Sequence, residues 1–268
     1  MVRRPAVAGY FYPKKTDELR ALVKGMVDPK AGREKAMAVV SPHAGLVYSG
    51  GVAGAVFSSV EIPGLVIILG PSHQGIRAVF GIMSEGVWQT PLGEVPVDAE
   101  VARSIRERSP LVEEDAGGHA AEHSLEVQLP FLQYLKKEFS IVPVCISPAA
   151  DYADLESLAG ALADSVRQSQ REALLVASTD MSHYVSQETA RRLDFLAIDR
   201  MLALDARGLY AVVQEENISM CGFQPTTAVI LAAKKLGART AELVRYQTSG
   251  DVSGDYDRVV GYAGLRIL

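Results

Sequence analysis

Four short runs of uninterrupted apolar residues constrain the fold of this chain more than any other feature. They are AMAVVSPH (36–43), GLVIILGPSH (64–73), FSIVPVCIS (139–147) and ALLVASTDMSH (173–183). Apolar residues at consecutive positions, without polar alternation, describe strands buried on both faces, as in parallel sheets covered by helices. Segments with helical spacing fall between the runs. TDELRALVKGMV (16–27) opens with Thr16 as the expected N-cap. SGGVAGAVFSSV (49–60) is rich in small residues and suits close packing on a sheet, and DAEVARSIRER (98–108) begins on an Asp cap. LESLAGALADSVRQSQ (155–170), QETARRLDFLAIDRMLAL (187–204) and QPTTAVILAAKKLGA (224–238) follow, the last with Pro225 in its first turn and Gly237 past its end. DRVVGYAGLRIL (257–268) reads as a last strand, and SEGVWQTPLGEVPVD (84–98) as a hairpin turning at Pro91 and Gly93. Alternating strands and helices predict the α/β class: a three-layer αβα sandwich around a largely parallel central sheet. No repeat, low-complexity tract or linker divides the chain, so residues 1–268 read as one domain.

Composition narrows the function classes. A net charge of −5 and no Lys/Arg-rich run argue against a nucleic-acid partner. Two cysteines, Cys145 and Cys221, cannot build a disulfide framework, and the opening MVRRPAVAGYFYPKK lacks the apolar core of a signal peptide. The densest apolar run is too short to span a bilayer. The expectation is a cytoplasmic protein without a membrane partner. GPSHQG lacks the spacing of a dinucleotide fingerprint, and no Walker or G-x-S-x-G motif is present.

The chain has five histidines, and their placement is informative. Three follow directly on apolar runs: His43, His73, and His183 with Asp180 three residues before it. In open α/β sheets ligands sit outside the carboxyl ends of the strands, so parallel pairing would gather these residues at one edge. Cys221 stands just before a helix, where the dipole is expected to favour the thiolate, whereas Cys145 reads as core filling. Two imidazoles and a thiolate suit zinc, copper or iron. Asp180 is a candidate fourth ligand, acid/base group or orienter of a His, and His183 a proton carrier. The other two histidines lie in HAAEH (119–123), an H-x-x-E-H pattern of zinc peptidases. Five residues with three fixed positions are weak support, and no acidic third ligand is marked out, so the peptidase reading is disfavoured.

AGYFYP (8–13), SPHAGLVYSGGVAG (41–54), LGPSHQG (69–75), EHSLEVQLPFLQ (122–133), STDMSHY (178–184) and MCGFQPTTAV (220–229) together resemble the Memo family, whose prokaryotic members are called AmmeMemoRadiSam system protein B. The tail YQTSGDVSGDYDRVVGYAG (246–264) extends the resemblance to nearly the whole chain. It implies a single α/β domain similar to the class III, non-haem iron extradiol dioxygenases. It also implies a metal site of His43, His73 and Cys221, with Asp180 and His183 as catalytic neighbours. Cys221 stands where those dioxygenases carry a carboxylate, so ring cleavage is not carried over. The cofactor expected is Fe(II), with copper as the alternative and zinc disfavoured. Radical SAM and AMMECR-type proteins are the implied partners, and a small molecule or peptide the implied ligand. HAAEH is then better parsed as the start of EHSLEVQLPFLQ, with Glu122, His123 and Phe11 on the pocket wall and His119 solvated at a helix start. Two readings follow: a metal-dependent oxidoreductase, or a non-catalytic peptide- or partner-binding module on a retired dioxygenase scaffold.

Overall fold

The computed structural model describes residues 1–268. The strands are β1 (Val2–Arg3), β2 (Ala38–Ser41), β3 (Leu65–Pro71), β4 (Phe80–Ile82), β5 (Val87–Thr90), β6 (Gly93–Pro96), β7 (Val112–Glu114), β8 (Ser140–Ile146), β9 (Ala173–Ser178), β10 (His183–Val185), β11 (Ala241–Thr248) and β12 (Val259–Ile267). The helices are α1 (Thr16–Met26), α2 (Leu46–Ser58), α3 (Ala99–Arg108), α4 (Ala116–His119), α5 (Leu129–Leu135), α6 (Tyr152–Ser169), α7 (Gln187–Leu202), α8 (Ala206–Glu215), α9 (Phe223–Leu236) and α10 (Gly250–Ser253).

The four apolar runs become β2, β3, β8 and β9. They pair in the order β2-β9-β3-β8, all parallel. Successive residues enter opposite cores. Ala38, Val40, Ile67 and Val142 join the core beneath α3 and α6 to α9, while Val39, Ile68 and Ile141 join that beneath α1, α2 and α5. Burial on both faces is why these strands are apolar at every position. The sheet is mixed at its flanks: β4 is antiparallel to β8, and β12 is antiparallel to β2, to β10 and to β11. The chain returns from β11 to β12 by the short 249–258 connection, which permits antiparallel pairing only. A small second sheet, β1-β5-β6, contains the expected hairpin. No helix is long and apolar enough to cross a membrane.

The capping expectations meet mixed outcomes. Asp98 caps α3 by accepting from the Val101 amide, and Gly237 closes α9 at φ +112°. Thr16 does not cap α1: Lys15 takes the extended capping conformation, and the Thr16 hydroxyl donates to the Pro91 carbonyl at 2.8 Å. A tertiary acceptor has taken the hydroxyl from the local one.

The small residues of α2 permit a close approach. A Cβ on Gly54 would collide with the carbonyl oxygen of Met26 at the end of α1, which backbone cannot relieve. Gly160, inside α6, faces nothing within 4 Å. Gly54→Ala is therefore expected to destabilise the fold by about 1–3 kcal/mol, and Gly160→Ala to stabilise it by roughly 0.5–1 kcal/mol. Urea unfolding of both variants measures the pair, and equal effects would refute the packing assignment.

Candidate metal centre

Parallel pairing carries the ends of β2, β3 and β9 to one edge, and the polar residues that follow them meet there. Ser41 and Ser178 are register partners at the ends of β2 and β9. Two residues beyond β2, the His43 ring lies 5.3 Å from that of His73 and 5.4 Å from that of His123; the rings of His73 and His123 are 4.5 Å apart. One ring nitrogen from each of His43, His73 and His123 lies within 4.8 Å of the other two. Cys221 Sγ is 3.3 Å from His43 Nε2. Gly222 allows this approach, because a Cβ there would lie 2.5 Å from Thr179 Cβ and collide with the Ser178 carbonyl.

The hydrogen-bond network settles which ring nitrogens carry protons. Ser178 Oγ has one hydrogen and gives it to the Ser124 carbonyl at 2.6 Å, which can only accept. Gln128 Nε2 donates to the same hydroxyl at 2.8 Å and also to the Pro42 carbonyl. His43 Nδ1, 2.9 Å from Ser178 Oγ, must then donate, and Nε2 is left as a bare lone pair facing Cys221. His73 Nδ1 donates to Glu122 Oε1 at 2.9 Å, which in the neutral ring leaves Nε2 bare as well. Glu122 also accepts from the backbone amides of His73 and Ser124. Burial alone would raise its pKa, but the bonds from His73 and Ser124 overcome this and bring it down to about 2. Burial, with His123 and His73 alongside, pushes the pKa of His43 well down, and burial lowers that of His123. These imidazoles are neutral at pH 7, the form that binds metals.

Asp180 is buried and its pKa is raised by burial, although Oδ1 accepts from the backbone amides of His43 at 2.8 Å and Ala44 at 3.3 Å. The carboxylate thus braces the loop that carries His43. His183 donates from Nδ1 to the Ser219 carbonyl at 2.8 Å, which leaves its Nε2 as an acceptor. Phe11 packs on His123 with ring centroids 4.7 Å apart.

Two sequence expectations need correction. His119 is not solvated. It is fully buried at the end of α4, with Nε2 3.1 Å from the Gly81 carbonyl, Nδ1 3.4 Å from Cys145 Sγ and Trp88 against its edge. Burial brings its pKa down to about 4. Because α4 ends at His119, HAAEH does not share one helix face, and the peptidase geometry is absent. The Cys221 thiol is not activated in this state: burial, then the Asp180 charge, push its pKa up. A helix terminus contributes about 0.3–1 kcal/mol, less than the desolvation of a buried thiolate.

Sequence reasoning missed Ser178, Ser124 and Gln128, which orient His43. All three lie inside the quoted motifs, but only the folded chain brings them together.

Three imidazoles thus gather at the carboxyl edge of the parallel strands of an α/β fold. Residues 3–266 match the family described as Memo-like protein. MEMO1 family proteins of Methanopyrus kandleri and Thermotoga neapolitana are 41% and 42% identical to it, over 99% and 98% of this chain and 98% of each relative. The chain belongs to the Memo-like family. A solved structure of an uncharacterized protein from Escherichia coli K12 shares the fold, with TM-score 0.58 at 13% identity over 85% of this chain and 99% of that one.

The depressed pKa of Glu122 makes a pH prediction. Its contribution to stability is complete above the ordinary value of 4.5 and is lost as pH falls toward 2. It amounts to at most about 3 kcal/mol. Urea midpoints at pH 6 and pH 3 should fall more for the parent than for Glu122→Gln, and parallel losses would show that the carboxylate is not held as described.

Proposed function

We propose that the protein binds a redox-active transition-metal ion through His43, His73 and Cys221, and works as a metal-dependent oxidoreductase. The observation that carries this reading is the pair of imidazoles whose Nδ1 protons are committed to Ser178 and Glu122, so that two bare Nε2 atoms face one pocket. A carboxylate behind a metal-binding His is a recurrent way of fixing tautomer and raising basicity. The donor set is nitrogen and sulfur. It suits iron, copper or zinc and not magnesium or calcium, which require oxygen.

Fe(II) is the ion proposed, with copper as the alternative; either would supply one-electron chemistry at this position. Cys221 completes a three-donor set and leaves open positions for a ligand. His123 competes for the same role, because its ring nitrogen lies within 4.8 Å of those of His43 and His73. Asp180, buried beside the His43 loop, and His183 would handle protons next to the ion.

A second reading rests on the rim. Tyr10, Val47, Tyr48 and Tyr184 are exposed, Tyr10 at 89%, and each stands within one or two residues of a pocket loop. Exposed tyrosines are common in protein- and peptide-binding surfaces. This supports docking of a radical SAM or AMMECR-type protein, with or without catalysis.

Anaerobic Fe(II) titration tests the first reading. His43→Ala and His73→Ala are expected to weaken binding by more than about 100-fold, and Glu122→Gln by roughly 10–100-fold, the range for groups behind a ligand. Comparison of Cys221→Ser with His123→Ala identifies the third donor. Iron bound as tightly by His43→Ala and His73→Ala as by the parent would overturn the assignment. For the second reading, Tyr10→Ser with Tyr184→Ser should abolish pull-down of the radical SAM and AMMECR-type proteins, and capture by the doubly substituted chain would count against it.

A further inference from the structure

The N-terminal arm, residues 3–12, contains almost no regular structure, and such a terminus ordinarily frays. Here it is tied to one side chain. Glu126 is fully buried, and its carboxylate accepts from the Arg3 guanidinium, the Tyr12 hydroxyl, the Ala6 amide at 2.8 Å and the Val7 amide at 3.2 Å. Every one of these donors comes from the arm. Arg3 also donates to the carbonyls of His119 at 3.0 Å and Glu122 at 2.6 Å, and stacks over Trp88 at 4.4 Å. The arm ends at the metal centre. The Phe11 carbonyl accepts from the Leu46 amide at 2.8 Å, just beyond the His43 loop, and the Phe11 ring rests on His123.

A buried ion pair is a poor source of net stability, since apolar replacements of similar volume often serve as well. What it does supply here is a single placement of the arm. We infer that Glu126 is a positioning residue: its carboxylate clasps residues 3–12 so that Phe11 forms a fixed wall over His123. Glu126 makes no hydrogen bond to an imidazole, so its contacts with the site run through the arm, while its charge is felt at His123. The inference takes the imidazole cluster as the site, as proposed above, but the clasp is readable without metal.

The test is Glu126→Gln in the full chain, which retains size but turns an amide donor toward the donors of the arm. Hydrogen exchange at the Ala6 and Val7 amides reads the clasp. In metal-free protein, the reaction of Cys221 with a bulky aromatic disulfide reads access to the pocket, because Cys145 is fully buried. The absorption spectrum of Co(II)-loaded protein reads the geometry around the ion. Both amides should exchange about tenfold faster or more, as expected for loss of charge-assisted hydrogen bonds. Cys221 should react several-fold faster, and the Co(II) bands should shift. Phe11→Ala should reproduce the Cys221 and Co(II) effects while Ala6 and Val7 stay protected. If Glu126→Gln does not fold, Tyr12→Phe removes one donor and is judged by the same measurements. Faster amide exchange with unchanged Cys221 reactivity and Co(II) bands would overturn the inference, as would unchanged exchange. A parent chain that takes up no Co(II) would sink the metal reading alone, and the Cys221 rates would still decide the clasp.

Discussion

Between Glu122 and Gln128 every second side chain is polar and fully buried: Glu122, Ser124, Glu126 and Gln128. The candidate site depends on the bonds these four make. Glu122 holds the ring and backbone of His73. Ser124 donates to the Pro71 carbonyl at the end of β3, and its own carbonyl takes the Ser178 proton. Gln128 reaches the carbonyls of Ser41 and Pro42 and the Ser178 hydroxyl, and Glu126 gathers the N-terminal arm. The intervening Leu125 and Val127, with Leu129 just beyond, fill the core on the helix α1, α2 and α5 side. Burying two carboxylates without partners would cost several kcal/mol each. Here each is met by several donors, and of the four side chains Gln128 alone leaves an atom, Oε1, without a partner.

What was legible in the sequence follows from how far each signal reaches. The four central strands, most of the helices and the strand-end positions of His43 and His73 were legible because apolar runs, caps and the carboxyl-edge rule are local or topological, whereas His183 opens the antiparallel β10 and α8 was not foreseen. The antiparallel flanks were less so, because β12 has the composition of any buried strand and only its connection to β11 fixes direction. Thr16 and His119 misled for one reason: a partner distant in sequence, the Pro91 carbonyl for one and Cys145 with Gly81 for the other, outweighed the local expectation. The Arg3–Glu126 pair, 123 residues apart, leaves no periodic trace at all. Cys221 shows the same balance in electrostatics, where burial dominates a helix terminus that sequence can see.

The network also orders the pocket from within the fold. Holding two imidazoles in one tautomer and orientation removes much of the ordering that binding would otherwise require. The cost is met by the fold itself, in hydrogen bonds that lie behind the rings and not in the pocket. The oxygens that could attract hard cations are withdrawn in the same way. Glu122 faces the Nδ1 side of His73, and Asp180 Oδ1 is turned to the backbone amides of His43 and Ala44.

The groups left facing the pocket therefore carry little charge of their own, and this bears on the third donor. Two imidazoles and the Cys221 thiolate would set one negative charge against a divalent ion, whereas three imidazoles would set none. In a buried site the thiolate is disfavoured without a cation beside it, as the raised pKa of Cys221 records. With a divalent ion beside it the balance inverts, because a coordinating thiol is deprotonated outright. Cys221 would thus resist ionisation without an ion and, were one bound as proposed, would become its most strongly attracting donor. His123, whose pKa burial lowers, would gain no such advantage from an ion. The physical case for Cys221 over His123 rests on that asymmetry, and His123 is left free to press against Phe11 as part of the wall.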